Sequence, residues 1–185
     1  MSSSQKIVIS GGPGSGKTSL IESLSAAGYR TFEEVSRVVI QEGRSLGKAN
    51  YFLEDPYAFS EILFEGRKKQ YEKAQKMTPN GTLPYVFFDR GIHDTYAYLE
   101  AMGLATAAWK KKMEAYRYDF IFLLPPWKAI YQTDEERKED FQQSQLYYKH
   151  IKKVYETVAN TLIEVPIGSV AERTAFILKQ LGDHG

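Results

Sequence analysis

The fold of this chain is decided by the eight residues Gly11-Gly12-Pro13-Gly14-Ser15-Gly16-Lys17-Thr18, which match the pattern G-x-x-x-x-G-K-[ST] in full. The apolar run at residues 6–10 predicts a buried strand before them, and apolar residues at helical spacing predict a helix over residues 17–27. A glycine-rich turn between a strand and a helix points backbone N–H groups inward at phosphate oxygens, and the helix N-terminus adds its positive end. The stretch is therefore predicted to be a phosphate-binding loop, or P-loop.

The side chains of the loop predict which phosphate compound it holds. Lys17 reaches the β- and γ-phosphates of a nucleoside triphosphate as a mobile charge, and the Thr18 hydroxyl is placed to ligate Mg²⁺. ATP with Mg²⁺ is the expected ligand, and GTP is the less favoured one. The predicted nucleotide-binding residues are Gly11, Gly12, Pro13, Gly14, Ser15, Gly16, Lys17, Thr18 and Ser19.

Four further apolar runs have strand character, at residues 29–32, 86–88, 120–124 and 162–165. Helical patterns separate these runs, which is typical of an α/β protein with a parallel sheet covered by helices on both faces. We expect a single domain over residues 1–185.

Three local patterns give further expectations. A helix is predicted from about residue 34 to 42, followed by a polar loop to residue 50. Asp55-Pro56 predicts the start of a long helix that closes at Pro79-Asn80-Gly81, and the basic run at residues 67–76 reads as its solvated face. Ser169 and Glu172 form a capping box that starts the last helix.

Composition excludes several classes of function. The formal net charge is +1, so nucleic acid is not an expected partner, and no apolar run is long enough to span a membrane. The first residues lack a basic segment followed by an apolar one, so no signal peptide is predicted and the expected location is the cytoplasm. The chain has no cysteine, which rules out disulfides and thiolate metal sites.

Missing motifs narrow the P-loop class. The chain has neither the Asn-Lys-x-Asp nor the Asp-x-x-Gly motif of GTPases, and it lacks a signature like the Leu-Ser-Gly-Gly-Gln of transporter ATPases. It is also short for a ring-forming ATPase with an added helical domain. A compact kinase-like protein that binds a second small substrate remains.

Two acidic positions are predicted beside the P-loop. Asp89 ends the third strand, where a carboxylate can hold Mg²⁺ or orient an attacking hydroxyl, and the adjacent Arg90 could clamp an anionic group of the substrate. Glu33 and Glu34 follow the second strand with Arg37, and either carboxylate could act as a general base. We assign catalytic roles to Glu34 and Asp89 and substrate contacts to Arg37 and Arg90.

A charged segment follows the fourth strand. Residues 134–145 are predicted to form a mobile lid, and Arg137 would close over the transferring phosphate and exclude water. Lys17 and Arg137 complete the predicted catalytic set.

These motifs, in this order with Pro125-Pro126 after the fourth strand, resemble the P-loop nucleoside and nucleotide kinases. More closely, the chain resembles small AAA-like ATPases of mostly unassigned function that are related to ribosylnicotinamide kinase domains. The resemblance implies a parallel sheet of order 2-3-1-4-5 and ATP-Mg²⁺ as phosphoryl donor. Two departures weaken any assignment of a particular substrate: Val35 stands where nucleoside kinases commonly have proline, and the lid offers one arginine.

The expected function is a small-molecule kinase that transfers the γ-phosphoryl of ATP to a nucleoside- or nucleotide-like acceptor. The alternative is a regulatory ATPase or a nucleotide-dependent binding module. A kinase should turn over ATP slowly until one acceptor is added, whereas a regulatory ATPase should hydrolyse ATP alone or respond to a macromolecule.

Overall fold

The structure is a computed structural model that describes residues 4–45, 54–78, 83–130 and 141–183. The strands are β1 (Gln5–Gly11), β2 (Arg30–Phe32), β3 (Tyr85–Asp89), β4 (Phe120–Leu124) and β5 (Leu162–Glu164). The helices are α1 (Lys17–Ala26), α2 (Val35–Ser45), α3 (Pro56–Gln75), α4 (Ile92–Ala101), α5 (Ala107–Met113), α6 (Phe141–Val158) and α7 (Val170–Asp183), and Lys128–Ile130 form a 3₁₀ turn.

The strands form one five-stranded parallel sheet in the order β2-β3-β1-β4-β5. This confirms the predicted sheet and its order. In the register, Ile9 of β1 pairs with Asp89 of β3, and Gly11 pairs with Leu124 of β4. The P-loop therefore leaves the central strand directly beside the carboxyl end of β3, which is where a parallel α/β sheet places its ligands.

Helices cover both faces of the sheet, as predicted. Successive strand residues point to opposite faces, so Val8 and Phe88 pack toward α3, α4 and α6, whereas Ile9 and Phe87 pack toward α1 and α7. Residues of both sets are almost completely buried, which explains the continuous apolar runs of β1, β3 and β4. The result is a rigid three-layer frame that fixes the strand ends.

Several predicted boundaries were wrong. Helix α2 continues through Gly43 to Ser45, although residues 43–50 were expected to form a loop, because a single glycine costs a helix only about 1 kcal/mol. Helix α3 ends at Gln75, before the predicted Pro79 stop. Helix α4 begins at Ile92, and the Asp94 carboxylate accepts a hydrogen bond from the Gly91 N–H at 3.0 Å at this start.

The predicted helix caps are confirmed. The Asp55 carboxylate accepts a hydrogen bond from the Ala58 N–H at 2.9 Å at the start of α3. At α7, the Ser169 N–H donates to the Glu172 carboxylate at 2.8 Å, and the Glu172 N–H donates to the Ser169 hydroxyl at 3.2 Å. In the described parts of the chain, no helix combines the length and the apolar character that crossing a bilayer requires.

His93, in the first turn of α4, is a buried member of the core. Its ring packs against Tyr118 and Tyr155, with ring centroids 5.9 Å and 5.5 Å away, and it is only 1% exposed. Burial lowers the pKa of His93 to about 4. The side chain is therefore neutral at neutral pH and packs as an aromatic ring.

We predict that His93 makes the fold sensitive to mild acid. Below its unfolded pKa of 6.5 the unfolded chain takes up a proton that the folded chain does not accept until about pH 4, so stability falls as the pH falls through this window. At pH 5 the loss from this group is about 2 kcal/mol relative to pH 7.5. Urea unfolding of the parent and of His93→Gln at both pH values measures it; an equal pH dependence in the two proteins would contradict the assignment.

Candidate active site

The P-loop has the backbone that its glycines predict. Gly14 and Gly16 adopt left-handed conformations with φ of 72° and 84°, which L-residues with a side chain rarely tolerate. Gly12 has a different reason to be glycine, because a Cβ there would strike Ser144 at the start of α6. The Ser144 hydroxyl also donates a hydrogen bond to the Pro13 carbonyl at 2.7 Å, so α6 fixes the loop from outside.

Lys17 lies folded over the interior of the loop. Its Nζ donates to the Gly12 carbonyl at 2.8 Å and to the Ser15 hydroxyl at 3.3 Å. Burial, with the neighbouring charge of Arg90, lowers the pKa of Lys17 to about 7. A phosphate bound in the loop would favour the ammonium form again, because an anion nearby stabilises the positive charge.

Thr18 and Asp89 meet at the junction of the P-loop and β3. The Thr18 hydroxyl lies 3.4 Å from Asp89 Oδ2, and the carboxyl group is 2% exposed. Burial and the charge of Glu34 raise the pKa of Asp89 to about 6. Asp89 Oδ1 is buried and has no hydrogen-bond partner among the described residues.

These two oxygen donors fit Mg²⁺, which prefers oxygen ligands and takes most of its remaining ones from substrate phosphates and water. Over the described ranges, no group of three or more His, Asp or Glu residues is placed to hold a metal ion by itself. The assignment of Thr18 and Asp89 as metal ligands stays a prediction.

Arg90 joins three elements at this junction. Its backbone is in the left-handed region, with φ of 71°. Its Nε donates to Glu34 Oε1 at 2.6 Å, and its Nη1 donates to the Gly11 carbonyl at 3.0 Å and to Asp94 Oδ1 at 3.1 Å. Although burial opposes the charged form, the Arg90 guanidinium holds the pKa of Glu34 well below its usual range.

Asp94 anchors the start of α4 and was not singled out in the sequence. Its carboxylate is 4% exposed and accepts hydrogen bonds from the Ser10 hydroxyl, the Gly91 N–H, the Tyr155 hydroxyl and Arg90. Burial opposes ionisation, but Arg90 and these donors lower the pKa of Asp94. The available signal was an acid three residues after Gly91 at a helix start.

A cavity of about 490 Å³ opens from the P-loop. One end is polar and is formed by the loop, Glu34 and Arg90. The other end is largely apolar and aromatic, and is lined by Ile40, Phe59, Leu63, Tyr98, Tyr147 and Ile151. Its volume and mixed lining are typical of a pocket for a small molecule.

Comparison with known proteins agrees with this architecture. A family model described as an AAA domain matches residues 6–173. The chain belongs to this AAA-domain family. No protein of curated function matches its sequence.

Solved structures share the fold of this AAA-domain protein. Deoxyadenosine kinase from M. mycoides with dCMP and dCDP aligns with a TM-score of 0.68 at 16% identity, over 97% of this chain and 100% of that one. The same enzyme with dATP gives 0.67 at 14% identity, over 96% and 100%. Thymidylate kinase from Candida albicans gives 0.62 at 14% identity, over 98% and 92%. Likeness at such identities establishes the fold of these kinases and nothing about the substrate.

The fold brings most of the predicted site residues of this AAA-domain protein together. The cavity is lined by Pro13, Gly14, Gly16, Lys17, Thr18, Ser19, Glu34, Arg37 and Arg90. Gly11, Gly12 and Ser15 support the loop through the contacts with Arg90, Ser144 and Lys17 described above. Arg37 Nη2 lies 3.4 Å from the Thr18 hydroxyl.

Glu34 lines the cavity, whereas Glu33 is exposed outside it, and a role as general base stays a prediction. The guanidinium of Arg90 already forms ion pairs with Glu34 and Asp94, so a bound substrate would have to share it with these two carboxylates.

Arg137 and residues 134–140 of the predicted lid lie outside the described residues, and residues 141–145 begin α6. The roles of these residues stay predictions.

The reading of residues 67–76 as a solvated face was wrong at Arg67. Arg67 is 3% exposed and lines the cavity. It occupies the buried stripe of α3 with Leu63, Tyr71 and Ala74, at spacings of four, four and three residues. The signal in the sequence was a charged residue at an apolar position of the helical period.

Arg173 of α7 was missed for the same reason. It lies between Val170 and Ile177 on the apolar face of the helix and is 5% exposed. Its Nη1 donates to the Ser15 carbonyl at 3.0 Å, and its guanidinium packs against Gly16. It therefore adds a buried positive charge at the rim of the P-loop.

We predict that Arg173→Met weakens ATP binding about tenfold while the protein stays folded. Methionine keeps an unbranched stem but removes the charge and the bond to the Ser15 carbonyl, and one charge-assisted hydrogen bond contributes about 1.5–3 kcal/mol. Titration calorimetry with Mg²⁺-ATP measures the dissociation constant. Arg117→Met is the matched control, because Arg117 also donates to backbone carbonyls but is exposed and away from the cavity. Equal affinity in Arg173→Met and Arg117→Met would contradict the role.

Proposed function

We propose that the protein is an ATP-dependent kinase that transfers the γ-phosphoryl group to a nucleoside- or nucleotide-like acceptor. The observation that carries the proposal is one continuous cavity with two unlike ends, a phosphate-binding loop at one and the largely apolar, aromatic lining at the other, here called the aromatic chamber. The Glu34–Arg90 ion pair belongs to the polar end, and Asp89 lies next to this end, 3.4 Å from the Thr18 hydroxyl. A donor phosphate and an acceptor bound in this cavity would face each other across these residues.

The donor side would act through positioning and charge. Lys17 and the backbone N–H groups of residues 14–18 would hold the β- and γ-phosphates, and Arg37 beside Thr18 would neutralise a γ-phosphate oxygen. Mg²⁺ held by Thr18 and Asp89 would supply charge neutralisation at the β- and γ-oxygens. Arg137 remains the predicted residue that closes over the transferring group.

The acceptor side would act through Glu34. The attacking oxygen of the acceptor forms a bond to the γ-phosphorus, the bond from that phosphorus to the β,γ-bridging oxygen breaks, and ADP leaves. For a hydroxyl acceptor, Glu34 accepts its proton late in the transfer, when the new oxygen–phosphorus bond has made that proton acidic. Arg90 keeps Glu34 ionised and oriented until then. A phosphate acceptor needs no such proton transfer.

The expected kinetics separate this proposal from the regulatory ATPase. ATP turnover should be slow alone and should rise at least a hundredfold with one member of a panel of nucleosides, nucleotides and sugars, measured as ADP release. A panel in which no compound raises turnover above that of ATP alone would reject the kinase.

Asp89→Asn should lower kcat about a hundredfold and shift the Mg²⁺ dependence, because it replaces the charged metal ligand by a neutral amide.

Nucleotide binding has its own test. Mg²⁺-ATP at about a hundredfold over its dissociation constant should stabilise the fold by about 2.7 kcal/mol, measured as a shift in thermal unfolding. Lys17→Ala should lose most of that gain. Lys6→Ala is the control, since Lys6 pairs with Asp119 outside the cavity and should leave the gain intact. A parent protein whose melting curve ATP leaves unchanged would reject the nucleotide site itself.

A further inference from the structure

Arg67 is a buried cation that the phosphoryl-transfer chemistry described above does not use. It extends from α3 into the cavity, 3% exposed, at a position where the rest of the helix stripe is mostly apolar. Charged side chains are rarely buried so completely unless an opposite charge or a set of hydrogen bonds compensates them. The question is what compensates Arg67.

The protein supplies only part of that compensation. Arg67 Nη1 donates to the neutral Thr95 hydroxyl at 2.8 Å, while its Nε is buried with no partner in the described part of the chain. The carboxylates whose pKa values its charge helps to lower are Glu34 and Asp94, and both are bound to the guanidinium of Arg90. No described carboxylate forms an ion pair with Arg67.

Of the four other described cations that line the cavity, Arg90 is paired with Glu34 and Asp94, and the remaining three lie at the P-loop. Lys17 bonds within the P-loop, Arg173 bonds to Ser15, and Arg37 lies against Thr18. Arg67 is instead held by Thr95 of α4, one residue beyond the Asp94 that fixes Arg90. The three cations at the P-loop are therefore placed to bind the phosphates of ATP, whereas Arg67 is placed to bind a second ligand.

The chamber around Arg67 also restricts that ligand. The rings of Tyr98 and Tyr147 lie 5.5 Å apart with planes inclined by 32°, and Phe59 packs edge-on against Tyr98 at 6.4 Å. These aromatic surfaces suit a flat ring, whereas a guanidinium suits a carboxylate or phosphate oxygen. We propose that the acceptor is a ring compound carrying an oxyanion, and that Arg67 binds this oxyanion. The inference rests on the proposed function, since it takes the ligand of the aromatic chamber to be the phosphoryl acceptor.

The ligand-free protein provides a first test. If Arg67 serves to bind a ligand, Arg67→Met should raise the melting temperature by about 2–4 °C, because an apolar side chain of similar length replaces a buried charge that the protein compensates only in part. If Arg67 serves the structure through Thr95, the same change should lower the melting temperature, and that result would overturn the proposal. Lys68→Met removes a charge from the next position of α3, where the side chain is half-buried and pairs with Glu65 outside the cavity, and it is the control.

The second test measures anion recognition with the P-loop filled by Mg²⁺ and a non-hydrolysable ATP analogue. Uridine is compared by calorimetry with orotidine, which adds a carboxylate, and with uridine 5′-monophosphate; adenosine is compared with adenosine 5′-monophosphate. We expect at least one anionic compound to bind tenfold or more tightly than its neutral partner. Arg67→Met should abolish the preference, Arg67→Lys should keep part of it, and Lys68→Met should keep all of it.

Each outcome has one meaning. A preference for orotidine assigns a carboxylate, and a preference for the monophosphates assigns a phosphate. No preference in any pair, or a preference that survives in Arg67→Met, overturns the proposal. Because these are equilibrium measurements, an Arg67-dependent preference without phosphoryl transfer would reject the kinase and keep the anion site. Phosphoryl transfer at a rate that depends neither on the anion nor on Arg67 would reject the anion site and keep the kinase.

Discussion

The site depends above all on the guanidinium of Arg90. It bonds at once to Glu34 after β2, to the Gly11 carbonyl at the end of β1 and to Asp94 in the first turn of α4, while its own backbone ends β3. These bonds tie the P-loop to the end of β2 and the start of α4 at distances of 2.6–3.1 Å. They also compensate a left-handed backbone at a residue other than glycine, which costs about 1–3 kcal/mol. Without this ion-pair network the two ends of the cavity would not keep a fixed geometry.

Burial then shifts the pKa values of two charged groups, Asp89 and Lys17, that do not bind Arg90. It raises the pKa of Asp89 to about 6 and lowers that of Lys17 to about 7, so both groups are poised to respond to a cation and to phosphates. Glu34 and Asp94, in contrast, remain ionised because Arg90 faces them. The same low-dielectric surroundings leave Arg67 with a neutral partner, Thr95, and the proposed anion site rests on this contact.

The predictions from sequence succeeded where the signal is local. The P-loop, the sheet strands and the caps of α3 and α7 follow from short patterns whose physical reason lies within a few residues. They failed at Arg67 and Arg173, which were read as surface or overlooked because polar residues on a helix usually face water. Periodicity places both on buried faces, yet it cannot tell a buried arginine that lines a cavity from one that pairs within the core.

The sequence by itself determined the phosphate-binding loop and the parallel α/β class, because glycine conformations and the hydrophobic period need no long-range information. It also placed Asp89 and Glu34 at strand ends, which the register then brought beside the loop. Only the tertiary structure decided which of Glu33 and Glu34 faces the cavity, what Arg90 binds, and that two arginines are buried beside the site. Those outcomes depend on contacts between helices and strands far apart in the chain, and charge pairing in a buried site is set by distance in space.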